Sequence, residues 1–228
     1  MSKVVIVTGA FGVLGHAVAA AFLANGDRVA TVDLATEPPP GVAAQLNGAL
    51  MVEGCDLTAP EQASAAVKSV LDRFGRIDAV VNIAGGFVWE TLADGSAETW
   101  DRLYAMNVRT CANMCRAALP ALIEARGSIV NVGAAGALKA AAGMGAYAAS
   151  KSGVHRLTEA LAEEQKGKVR VNAVLPSILD TPRNRADMPK ADPAAWVAPV
   201  ELTAVILFLT SDAASAVTGA LIPVTGRV

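Results

Sequence analysis

The chain has 228 residues, of which 53% are hydrophobic and 18% charged, and its net charge is −2. That length and apolar content predict one large domain with a core buried on two sides, and they exclude an intrinsically disordered chain. The near-neutral charge gives no electrostatic reason to expect nucleic acid or an anionic membrane as a partner.

The first predicted element is the strand Val4 to Val7, a continuous apolar run of the kind buried on both faces of a parallel sheet. It is too short for a signal peptide or a membrane span, so a cytoplasmic location is expected. Thr8 to Gly15 follows and opens a helix through Phe22. Glycines at 9, 12 and 15 permit a tight turn, close backbone approach and close helix packing, with backbone amides aimed at a phosphate. Arg28 to Val32 reads as the second strand. It ends in Asp33, 18 residues after Gly15, a spacing at which a carboxylate accepts both hydroxyls of an adenosine ribose. No Lys or Arg occupies 34 to 36, so a 2′-phosphate has no partner there and NAD(H) is expected over NADP(H).

Pro38 to Gly41 is a surface loop, Ala49 to Cys55 a third strand, and Pro60 starts a helix to Phe74. Ile77 to Asn82 is a fourth strand, Ser96 to Glu124 a largely helical stretch containing Asn107, and Ser128 to Val132 a fifth strand. Cys111 and Cys115 share a helix face as core packing. With Cys55 they lack metal-finger spacing, so no metal site is expected. A helix from about Tyr147 to Gln165 places Tyr147 and Lys151 on one face, about 6 Å apart along the axis. A fixed ammonium beside a phenol lowers its pKa toward the working range of an acid or base. His16 and His155 read as helix-surface residues. Val169 to Leu175 is a sixth strand, 178 to 199 a mobile flap with at most a short helix, 200 to 210 a helix, and Leu221 to Val224 a last strand. Alternating strands and helices predict a doubly wound α/β fold that binds its ligand at the carboxyl ends of the strands.

The glycine turn, Asp33, Asp56-Leu57, Asn82 to Gly85, Asn107, Tyr147 with Lys151, and Val171 to Pro182 together resemble the short-chain dehydrogenase/reductase family over essentially the whole chain. The resemblance implies a single Rossmann-type domain with a seven-stranded parallel sheet, an NAD cofactor, a small-molecule substrate, and a homodimer or homotetramer. It implies that Tyr147 is the general acid/base, that Lys151 tunes it and binds the nicotinamide ribose, and that Asn107 holds a relay water. Asp56 would meet the adenine amino group and Thr181 the carboxamide. Cofactor contacts would extend to Gly9, Phe11, Gly12, Val13, Leu14, Leu57, Asn82, Ala84, Gly85, Pro176 and Ile178.

Two positions depart from the family pattern. Its main branch has glycine where this chain has Val13, and a serine thirteen residues before the tyrosine where this chain has Ala134. Loss of such an oxyanion donor costs about 10²–10³ in rate for carbonyl chemistry. The chain also resembles quinonoid dihydropteridine reductases, in Gly9 to Gly15, Ala84 to Phe87, the serine-free loop, Gly145 to Tyr147, and Leu175 to Asn184 with Met188 to Asp192 and Trp196. That likeness implies a quinonoid substrate, whose ring heteroatoms spread the new charge without a hydroxyl donor. Phe87, Trp89, Met188 and Trp196 are then candidates to wall the substrate pocket. The alternatives are a ketone or alcohol dehydrogenase of the same family and a non-catalytic NAD-binding protein.

Overall fold

The computed structural model describes residues 2–228. Seven strands, β1 (Val4–Thr8), β2 (Arg28–Val32), β3 (Leu50–Val52), β4 (Ala79–Asn82), β5 (Ser128–Val132), β6 (Arg170–Pro176) and β7 (Leu221–Val224), form one parallel sheet in the order β3-β2-β1-β4-β5-β6-β7. The crossovers carry α1 (Val13–Ala24), α2 (Val42–Gln45), α3 (Pro60–Phe74), α4 (Ala97–Tyr104), α5 (Thr110–Ala125), α6 (Gly145–Glu164), α7 (Pro182–Asp187) and α8 (Pro199–Thr210). Among the described residues no helix is long and apolar enough to cross a membrane.

The unbroken apolar run of β1 has a direct cause. Successive side chains alternate faces, so Val4 and Ile6 enter one core while Val5 and Val7 enter the other. The first core packs under α3, α5 and α6, through residues such as Val67, Met114, Leu122 and Val154. The second packs under α1 and α8, through Phe22, Leu202, Ile206 and Leu209. Each such side chain contributes about 1.5–3 kcal/mol of burial free energy. Because β1 pairs with β2 on one side and β4 on the other, the chain leaves the two halves of the sheet in opposite directions, and a crevice opens at the carboxyl ends there.

Element boundaries differ from the sequence reading where loops capture strand residues. β3 stops at Val52 because Gly54 turns at φ +62° and Cys55 N–H donates to Asp33 O, which ties this segment to the end of β2. The fourth strand starts at Ala79, since the Asp78 carboxylate accepts the Val4 N–H ahead of it. The largely helical stretch predicted from Ser96 is α4 and α5 joined by a π-helical segment, Ala105–Arg109, with Asn107 inside it. The flap carries α7 and a short 3₁₀ turn, and its base is joined by a Leu179–Val197 bridge. β7 contains Pro223, which a strand at the sheet edge tolerates.

Candidate active site

The crevice begins at the glycine turn. Gly9 adopts φ +63°, and a Cβ on it would sit 2.8 Å from the Ala84 backbone, so the ends of β1 and β4 close together only around glycine. A Cβ on Gly15 would run into the Gly9 carbonyl, which fixes how closely α1 approaches the turn. Thr8 Oγ1 accepts the amides of Ile83 and Ala84 at 3.0 and 3.1 Å and binds the same two strand ends from the other side. α1 starts at Gly12 with no side-chain cap, so its first-turn amides face the crevice with the positive end of the helix dipole.

A groove of about 700 Å³ runs from this turn, within the range of roughly 300–1,000 Å³ that bound cofactors occupy. Of the predicted cofactor residues, Gly9, Gly12, Val13, Leu14, Asp33 and Asp56 line it, as do Leu57, Ala84, Gly85 and Thr181. The Asp33 carboxylate accepts Phe11 N–H at 2.9 Å on one oxygen and Ala35 N–H at 3.0 Å on the other, and both oxygens keep a lone pair for a diol. One Asp56 oxygen accepts both Thr58 N–H and Thr58 Oγ1–H, which holds the carboxyl below the usual carboxylate range. Thr181 caps α7, accepting Asn184 N–H at 3.1 Å. An uncapped helix start, a pinned carboxylate and small residues along the floor fit a dinucleotide.

Other predicted residues stand outside this groove. Phe11 is buried, and its contribution to the site is its amide on Asp33. The Asn82 side chain points into the sheet, donating to Asn131 Oδ1 at 2.9 Å and Cys115 Sγ at 3.3 Å. Pro176 ends β6, and Ile178 lies at the base of the flap, where its carbonyl accepts Val197 N–H. Trp196 is 3% exposed and counts among the buried core residues. Met188 is half-buried at the end of α7.

From α6, Lys151 approaches the groove wall at Gly85 and Tyr147 stands against Phe87 just beyond it; neither lines the groove itself. Lys151 is buried, and its Nζ donates to Val132 O at 2.8 Å, beside Gly85. Burial pushes the Tyr147 phenol up to about 12 and the Lys151 ammonium down to about 8. The lowering of the phenol by its lysine expected from the sequence is absent here: burial is the cause at Tyr147, and at Lys151 burial outweighs the opposing charge of Cys111. Asn107 reaches across from the π-helical segment. Its Nδ2 donates to Gly86 O at 3.1 Å and Ser150 Oγ at 2.9 Å, and its Oδ1 accepts Gly86 N–H at 2.9 Å. Ser150 Oγ in turn donates to Tyr147 O at 2.8 Å. The Asn107 side chain thus braces the Gly85-Gly86 loop against the start of α6, and one lone pair remains for a water.

The Phe87 ring stands edge-on to Tyr147, with centroids 4.9 Å apart. Trp89 lies over Gly143, its indole N–H on Ala142 O at 3.1 Å, and Glu90 N–H bonds Gly143 O at 2.9 Å. Phe87 and Trp89 remain 54% and 60% exposed, forming an aromatic rim beside the phenol.

His155 overturns its sequence reading. It is 1% exposed, with Nε2 3.3 Å from Ala134 N, and burial first, then Arg156 and Lys151, push its pKa down to about 4. The apolar neighbours Val154 and Leu161 turn that face of α6 inward, and a lone histidine in the pattern gave no sign of it. Ser150, Thr8 and two groove cations, Arg102 and Arg183, were also missed. A cation two residues after Thr181 was the one available signal.

Comparison with known proteins agrees with this geometry. The sequence model of the short chain dehydrogenase family matches residues 3–192. D-threitol dehydrogenase of Mycolicibacterium smegmatis is 36% identical over 98% of this chain and 92% of its own length. Among solved structures, a glucose/ribitol dehydrogenase-type short-chain dehydrogenase/reductase from Brucella melitensis superposes with TM-score 0.92 at 33% identity, covering 98% of this chain and 95% of that one. Carveol dehydrogenase from Mycobacterium avium in complex with NAD superposes with TM-score 0.87 at 25% identity, covering 98% and 96%.

Proposed function

The chain belongs to the short-chain dehydrogenase/reductase family, and on that premise we propose that it is an NAD(H)-dependent enzyme interconverting a carbonyl and an alcohol, with Tyr147 as general acid and base. The observation that carries this reading is an uncapped helix start and a carboxylate pinned by two amides along one groove, with the buried Lys151 ammonium beside the groove-lining Gly85 and the half-buried Tyr147 one helical turn before it on α6. A bound nicotinamide supplies the hydride in reduction and accepts it in oxidation.

The residues divide the remaining work. The first-turn amides of α1, with Arg102 and Arg183 along the groove, hold a pyrophosphate. Asp33 holds the adenosine ribose diol and repels a 2′-phosphate, and the carveol dehydrogenase complex with NAD supports the same choice. Tyr147 keeps its proton at neutral pH and so can donate it to an oxygen gaining charge. The Lys151 ammonium then stabilises the phenolate left behind.

For the substrate, the D-threitol dehydrogenase relative supports an alcohol or ketone. A second reading, a quinonoid dihydropteridine-like substrate, is favoured by one specific observation: position 134 carries no hydroxyl, and its amide is bound to His155. The exposed ring faces of Phe87 and Trp89 suit a flat substrate under either reading. The proposal includes a cytoplasmic homodimer or homotetramer. Exposed Trp100 and Tyr104 on α4 support the assembly, and light scattering would test it.

The experiment is a side-by-side assay of quinonoid dihydropterins, simple ketones and polyols with NADH or NAD. Turnover of ketones and polyols alone would remove the pterin reading. Nicotinamide binding without turnover of any of the three would remove the catalytic one.

A further inference from the structure

α6 touches the outgoing end of β5 twice, one helical turn apart. Lys151 Nζ donates to Val132 O at 2.8 Å, and four residues later His155 Nε2 accepts Ala134 N–H at 3.3 Å. The imidazole is set tightly there: a Cβ on Gly133 would come within 2.5 Å of Nε2 and 2.7 Å of Cδ2. Gly133 is therefore glycine to admit this ring.

We propose that His155 is a positioning residue: by holding the Ala134 amide it fixes the strand end from which Val132 O anchors the Lys151 ammonium. Only a neutral ring with an unprotonated Nε2 and its proton on Nδ1 can accept this bond. Removing the acceptor leaves a buried amide unpaired. The strand end then moves to recover a partner, carrying Val132 O and the lysine with it. The inference rests on the proposed role of Tyr147 and Lys151, but the tautomer and the hydrogen bond do not.

The test pairs two variants with one spectroscopic measurement. His155→Phe keeps ring volume without an acceptor, whereas His155→Gln restores an oxygen acceptor. His155→Phe is expected to lower kcat about tenfold and displace the pH profile of kcat, with NADH affinity within about twofold, as for a reacting group misplaced by a fraction of an ångström. His155→Gln is expected to recover most of the loss. Gly133→Ala, which displaces the ring from the other side, should reproduce the His155→Phe profile while His155 is intact. Nitrogen NMR of the histidine ring in the wild-type protein is expected to show the Nδ1–H tautomer at neutral pH. An Nε2–H tautomer, or a folded His155→Phe with unchanged kcat and pH profile, would overturn the proposal. If the wild type turns over no substrate, the assigned function fails, and the tautomer still decides the hydrogen bond.

Discussion

Tyr147 shows how far a local pattern can be read. Its spacing to Lys151 is a property of any helix, and it placed both groups on α6 correctly. The protonation balance between them depended on burial, which the spacing does not encode. Replacing Tyr147 with Phe removes the proton donor while keeping the ring against Phe87, so turnover should fall about 10²–10⁴-fold with NADH affinity nearly unchanged. Steady-state kinetics beside a binding titration checks this. Asp33→Asn removes the charge but keeps one oxygen for the Phe11 amide. The preference for NADH over NADPH, expected at about a hundredfold from several kcal/mol of like-charge repulsion, should shrink at least about tenfold. His155 adds a pH effect on stability. Its folded pKa of about 4 lies below the ordinary 6.5, so between those values the unfolded chain binds more protons and stability falls as pH falls. Lys151 and Arg156 are the cations facing it. Between pH 7 and 5 the loss should be on the order of 2 kcal/mol, read as a urea midpoint that drops more steeply in the wild type than in His155→Gln.

At the scale of elements, the approach of α1 to the glycine turn and the π-helical segment decide the site. Gly15→Ala would drive a methyl into the Gly9 carbonyl, and the helix would have to retreat from the phosphate-facing turn. The expected outcome is a loss of about 1–3 kcal/mol in stability together with weaker NADH binding, checked by thermal unfolding and titration of the same sample. Both effects together distinguish this glycine from Gly26, whose φ of +81° strains any side chain but whose Cβ would meet nothing within 4 Å, so that substitution should cost stability without touching NADH binding. The π-helical segment could not be read in advance, since its residues, Ala105 to Arg109, carry no breaker. It forms where Asn107 finds both a loop and a neighbouring helix to bond. The shortened β3 has the same kind of cause, a loop partner that intercepts the strand.

Over the whole molecule, the groove spans the ends of β1, β2 and β4 and reaches the flap, so a dinucleotide bound there would link both halves of the sheet. NADH at about a hundred times its Kd should raise unfolding free energy by about 2.7 kcal/mol, and NADPH at equal concentration much less, as a thermal shift would show. What the sequence determined alone was what repeats along a line: the two-faced strands, the amphipathic helices, the glycine turn and the order of motifs. Those signals follow from local sterics and burial period, and they fixed the α/β fold and the positions of Asp33, Tyr147 and Lys151. Tertiary structure decided what depends on distant partners. It turned Asn82 into the sheet, put Trp196 in the core, and set His155 beneath Ala134, 21 residues away in the chain. A side chain's environment is made by whatever packs against it, and neither its identity nor its neighbours in sequence specify that.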